Sequence, residues 1–124
     1  MFVPVNNASH WTIIILSPAR RTIEYLDSFG GSDTVFVSNI KKWLAHELGS
    51  AWKPEEWNVL QTRSAVQTNG YDCGVFAITN AKCVALGLDP TCYSGRDLAA
   101  QRRRVAAELM AGGFVGEFAP PSNL

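Results

Sequence analysis

The sequence has no excess charge of either sign: eleven Lys and Arg balance eleven Asp and Glu in 124 residues. No whole-molecule field draws in nucleic acid or an anionic membrane, so neither is an expected partner. Long apolar runs are missing too. The longest, Ile13-Ile14-Ile15-Leu16, is far short of the ~20 residues of a membrane-spanning helix. Cysteine is scarce. Cys73, Cys83 and Cys92 are an odd number that cannot all pair within the chain, and none stands in a CxxC or CxxC…H pattern. That excludes a disulfide scaffold and gives no sign of a metal site, and free thiols in a reducing compartment are the expectation. No secretory signal pattern opens the chain, and no internal repeat or low-complexity tract interrupts it. What is there is an ordinary globular composition, 47% hydrophobic and 18% charged, at a length suited to one domain or part of one.

Residues 1–9 show no clear periodicity. His10 to Leu16 reads as a strand whose unbroken apolar run implies burial on both faces. Ser17-Pro18-Ala19-Arg20 is turn chemistry, and Thr22 to Leu26 alternates as a return strand. Ser32 or Asp33 caps a helix running to about Leu48, with Phe36, Ile40, Trp43, Leu44 and Leu48 on one face. Trp57 to Leu60 reads as a further short strand, and Thr68-Asn69-Gly70 as a turn. Asp72 then caps a helix from Cys73 to about Leu86 that is apolar nearly all round, as a buried central helix would be. Ser94-Gly95-Arg96-Asp97 has the form of a capping box, opening a last helix to about Met110. The order is that of an α+β fold rather than an alternating βαβ one.

Chemistry can be read at three places. A hairpin turn centred between Pro18 and Ala19 sets His10 opposite Asp27, where facing Cβ atoms lie ~4.5–5.5 Å apart and an imidazole–carboxylate bond is in reach. Alone, the pair is better explained by solvated polar residues at strand ends. Cys73 falls in the first turn of the apolar helix, where unpaired N–H groups and the helix dipole favour a thiolate by ~0.3–1 kcal/mol at an exposed site. A structural thiol at a helix start is the competing reading, since free cysteine is commonly buried. Gln67 precedes Cys73 by six residues, so its amide and the Cys73 N–H can together form an oxyanion hole. Gly74 leaves room for a substrate backbone, and Trp11 either packs beneath its strand or lines a groove. Arg102-Arg103-Arg104 is most simply a solvated face. Together, imidazole, carboxylate, amide and helix-terminal thiol are the four roles of thiol acyl transfer, with sulfur, ring and carboxylate expected in one hydrogen-bonded line.

The segments HWTIIIL at 10–16, EYLDSF at 24–29 and QTNGYDCGVFAITN at 67–80 resemble the ubiquitin-like-protein-specific cysteine proteases, the Ulp/sentrin-protease family. The resemblance spans about residues 4–90. It implies a papain-like α+β fold with the catalytic elements in the permuted order His…Asp…Gln…Cys. It casts His10 as base and imidazolium partner, Asp27 as its orienter, Cys73 as nucleophile and Gln67 as oxyanion donor. Trp11 matches a tryptophan covering a narrow channel for the modifier's Gly-Gly tail. The implied partner is SUMO or a related ubiquitin-like modifier, the implied reaction is cleavage after its C-terminal Gly-Gly, and no cofactor is called for. Nuclear or cytoplasmic placement follows from the free thiols and the family. Family catalytic domains carry a segment before the His strand that supplies much of the modifier-binding surface, whereas nine residues precede His10 here. The expectation is therefore a partial catalytic domain over residues 1–115, incomplete at the N-terminus, with a flexible tail over 116–124. The rival expectations are a truncated, inactive relative that binds a modifier without cutting it, a chymotrypsin-like cysteine protease, and a structural domain with an inert Cys73.

Overall fold

A computed structural model describes residues 1–32 and 34–113. The tail expected over 116–124 and the candidate cap Asp33 lie outside the described residues.

Four strands form one sheet in the order β1 (Phe2–Asn7), β2 (His10–Ser17), β3 (Thr22–Leu26) and β4 (Asn58–Gln61). The first three run antiparallel and β4 lies parallel to β3. A parallel neighbour requires a crossover, and it is made by helix α1 (Thr34–Leu48) with two short 3-10 turns after it. Helices α2 (Cys73–Ala85) and α3 (Leu98–Ala111) complete the chain. The α+β reading therefore holds.

The apolar run of β2 is explained by what covers each face. Ile14 and Leu16 pack with Val5, Ile23, Tyr25, Val37 and Leu44 on the α1 side. Ile13 and Ile15 pack with Leu26 and Ala77 on the α2 side. The strand alternates between two hydrophobic layers, so no polar residue interrupts it. α2 is sandwiched in turn: Val75, Phe76 and Cys83 meet Tyr93 and Leu98 on its far side. The helix that begins with Cys73 is thus held from two directions.

Several local readings needed adjustment. β1 had no visible periodicity because Pro4 and the Asn6-Asn7 pair look like turn residues. Proline is tolerated there because β1 is an edge strand, and Val3 and Val5 both pack on the α1 layer. The β2–β3 register is displaced by two residues: Ile13 pairs with Leu26, and Ser17 with Thr22, leaving a four-residue loop. That loop is closed by the Arg21 N–H donating to the Pro18 carbonyl at 3.2 Å, with Arg21 left-handed at φ 52°. On α1, Val37 and Leu44 are buried but Trp43 and Leu48 stay partly exposed. Trp43 lines a groove with Val3, Pro4 and Val5 at the sheet edge. The Ser94/Asp97 capping box is present and opens a 3-10 turn leading into α3, which ends at left-handed Gly112.

Candidate active site

The even displacement of register preserves which side chains share a face. His10 and Asp27 consequently still meet, on a diagonal rather than directly opposite. Asp27 lies one residue past the end of β3, and His10 Nε2 donates to its Oδ1 at 2.6 Å. The carboxylate is otherwise wrapped by its own turn. The Phe29 N–H donates to Oδ1 at 2.8 Å and the Gly31 N–H to Oδ2 at 3.2 Å. Because an ionised carboxylate only accepts, the imidazole proton on that side belongs to Nε2. The Phe29 ring stacks on the imidazole, with centroids 4.8 Å apart. The other ring nitrogen, Nδ1, is buried without a hydrogen-bond partner.

Cys73 is the first residue of α2, so its backbone N–H has no acceptor within the helix. Its side chain is buried, and Sγ approaches the Ser9 carbonyl at 3.9 Å. The thiol therefore lies beside the residue that precedes His10. A sulfur–imidazole hydrogen bond is not made in this state, so the expected single line is joined only from ring to carboxylate.

Gln67 is buried and held at both ends of its carboxamide. Ser28 Oγ donates to Oε1 at 2.7 Å, and Nε2 donates to the Asn69 carbonyl at 2.6 Å. A carbonyl only accepts, which identifies Nε2 as the atom facing it. The loop onward to Cys73 is knitted by Asn69, whose Oδ1 accepts from the N–H groups of Tyr71 (3.1 Å) and Asp72 (3.0 Å). Asn69 Nδ2 donates to Asp72 Oδ2 at 2.7 Å. The turn expected around Asn69 is real, and it carries Gln67 to the start of α2.

Asp72 sits at the N-cap position but makes no side-chain capping bond. Its carboxylate instead accepts from Arg102 of α3, through Nε at 3.2 Å and through Nη2. Arg102, and then Asn69, hold the Asp72 carboxyl below the usual range. Arg102 is therefore not part of an idle solvated face, and Arg104 likewise pairs with Glu108. Trp11 is partly exposed, and its Cδ1 lies 3.8 Å from where a Cβ on Gly74 would stand. The two candidate substrate-binding residues are thus neighbours at the mouth of the site. Cys83 and Cys92 lie away from it, with their sulfurs 3.9 Å apart. Sequence reasoning missed Ser28, Phe29, Gly31 and Arg102; only the adjacency of Ser28 to Asp27 offered any signal.

Among the described residues no cluster of His, Cys, Asp and Glu is placed to hold a metal ion, and no helix is long and apolar enough to cross a membrane.

The comparisons with known proteins bear on the family and the fold. The chain is 33% identical over 113 residues to human sentrin-specific protease 5, covering 88% of this chain and 15% of that protein. It is 28% identical to the Arabidopsis thaliana ubiquitin-like-specific protease ESD4, covering 89% of this chain and 23% of the relative. It thus spans well under a third of either curated relative. Among solved structures, the Ulp1-like SUMO protease catalytic domain of Chaetomium thermophilum superposes with a TM-score of 0.86 at 41% identity, over 94% of this chain and 47% of that one. The yeast Ulp1 C-terminal protease domain, solved in complex with Smt3, shares the fold with a TM-score of 0.76 at 24% identity, over 89% of this chain and 51% of its own. The model of the Ulp1 protease family's C-terminal catalytic domain matches residues 1–112, and the chain belongs to that family.

Proposed function

We propose that this chain carries the catalytic centre of a thiol peptidase that cleaves the peptide or isopeptide bond after the C-terminal Gly-Gly of SUMO or a related ubiquitin-like modifier. The observation that carries the reading is the state of His10. One ring nitrogen is committed to Asp27, and the other, Nδ1, is buried and unpartnered, while the Cys73 thiol lies against the carbonyl of Ser9, the residue just before His10. A buried polar atom left without a protein partner costs ~1–3 kcal/mol, and a catalytic role is one recognised reason for retaining it.

In the proposed reaction His10 Nδ1 takes the Cys73 proton, and Asp27 steadies the resulting imidazolium through Nε2. The thiolate attacks the glycine carbonyl. The oxyanion is met by the backbone N–H of Cys73 and by the Gln67 Nε2 proton not used on Asn69. His10 then protonates the leaving amine, and water, deprotonated by His10, hydrolyses the thioester. Trp11 and Gly74, which lie side by side, form the wall along which the flat glycine backbone runs in this reading. The protease names of the relatives, and the SUMO protease title of the Chaetomium domain, support this substrate class.

A modifier carrying a C-terminal vinyl sulfone tests the reading. The expected result is a covalent adduct mapped by peptide mass to Cys73, lost in Cys73→Ala and kept in Cys83→Ala and Cys92→Ala. Reversible binding without an adduct under reducing conditions overturns it in favour of a binding module.

A further inference from the structure

We propose that Ser28 is a positioning residue for this reaction: its hydroxyl holds the Gln67 carboxamide so that one N–H stays available to the oxyanion. The inference rests on the acyl-transfer reading above and adds a residue to it. Both side chains are buried, Ser28 at 2% and Gln67 at 4% exposure, so neither amide orientation is set by water. The Gln67 amide has four hydrogen-bonding valences. Oε1 accepts from Ser28 Oγ, one Nε2 proton goes to the Asn69 carbonyl, and the second Nε2 proton has no partner among the described residues. The terminal torsion of glutamine is broad, so nothing intrinsic to the side chain chooses this pose. Were the amide to rotate, its oxygen would replace its nitrogen at the oxyanion site, and repulsion would replace stabilisation. The Ser28 hydroxyl opposes that rotation by giving the buried oxygen a donor.

The backbone reinforces the link, since the Gln67 N–H donates to the Ser28 carbonyl at 2.8 Å. Asp27 and Ser28 are consecutive. One dipeptide just past the end of β3 therefore orients both halves of the site, the imidazole through Asp27 and the oxyanion donor through Ser28.

The test compares the parent chain with Ser28→Ala and Ser28→Thr on a modifier whose C-terminal Gly-Gly is linked to aminomethylcoumarin. Loss of one orienting bond is expected to lower kcat ~10-fold in Ser28→Ala with KM within about twofold, because the bond acts through the transition state. Alkylation of Cys73 by iodoacetamide, which forms no oxyanion, is expected to be unchanged. Ser28→Thr, which keeps the hydroxyl, is expected to recover most of the rate. A Ser28→Ala variant that turns over like the parent overturns the inference and leaves the peptidase reading standing. So does a Ser28→Thr variant as slow as Ser28→Ala with the melting temperature of the parent. A parent that does not turn over is the failure of the peptidase reading itself. The ¹⁵N spectrum then still decides the Ser28 contact. Gln67 side-chain amide protons that exchange slowly in the parent and rapidly in Ser28→Ala support it; identical exchange in both overturns it.

Discussion

A Cβ on Gly31 would stand 2.5 Å from Oδ2 of Asp27, the carboxylate that His10 grips through its other oxygen at 2.6 Å. The turn after β3 closes over the carboxylate so tightly that a Cβ at position 31 meets it. The atom in the way is the end of a side chain rather than backbone, so a substitution can be accommodated by swinging Asp27 aside. Gly31→Ala is therefore expected to cost less than ~1 kcal/mol of stability while lowering turnover by ~10-fold or more, short of the ~10⁴ that follows loss of an orienting carboxylate's function. Thermal melts beside steady-state rates check this. Gly30→Ala makes the contrast: nothing lies within 4 Å of its Cβ, but φ is +73°, so it is expected to cost ~1 kcal/mol of stability.

Gly74 lies on the other side of the site. A Cβ there meets Trp11 Cδ1 at 3.8 Å, an ordinary contact. Gly74→Ala is accordingly expected to fold and melt like the parent, within ~0.5 kcal/mol. If substrate backbone passes across the surface that Gly74 and Trp11 share, kcat/KM on a Gly-Gly substrate falls while alkylation of Cys73 by iodoacetamide does not. A variant that keeps full kcat/KM places the channel elsewhere.

The bond between Asp72 and Arg102 ties the loop that bears Cys73 to α3, and it makes stability depend on pH. The Asp72 carboxyl is held below its ordinary value of 3.8 in the folded chain, first by Arg102 and then by Asn69. A depressed folded-state value contributes stability that is present above the unfolded value and lost as pH falls through the folded one. Arg102 is half exposed, so the contribution is modest. Arg102→Met is expected to cost ~1 kcal/mol near neutral pH, or roughly 3–6 °C in Tm. The gap from the parent is expected to narrow as pH drops below about 3.8. Calorimetry at pH 7 and pH 3 measures it, and a gap that widens in acid contradicts the assignment.

The remaining thiols should differ in reactivity. Burial, followed by the neighbouring Cys92, pushes the Cys83 thiol up to about 12, whereas Cys92 is exposed. Iodoacetamide at pH 8 is expected to modify Cys92 and spare Cys83, because only a thiolate reacts at a useful rate. Peptide mass mapping reads the outcome, and modification of Cys83 at the pace of Cys92 contradicts it.

Much of this was legible in the residues themselves. Ile13 to Leu16 announced a strand buried on both faces, and α1 and α2 supply the two covers. The capping box at Ser94 was local chemistry and stayed local. The His10–Asp27 pair survived an error in the loop because a two-residue displacement keeps side chains on their face; a one-residue error would have separated them. β1 was hidden because an edge position, known only once the sheet is built, is what makes Pro4 acceptable. Ser28, Gly31 and Arg102 were illegible for a different reason. Their roles are set by partners 39, 4 and 30 residues away, and no spacing rule links them to the site.

His10 and Asp27 either serve Cys73 as one unit or contribute separately, and a double-mutant cycle on kcat/KM separates these cases. With Cys73 intact, the account predicts that His10→Ala abolishes nearly all turnover, and that adding Asp27→Ala to it costs nothing further, since the carboxylate acts only through the ring. Losses that multiply, with the double variant slower than His10→Ala by the full factor that Asp27→Ala shows alone, would contradict it.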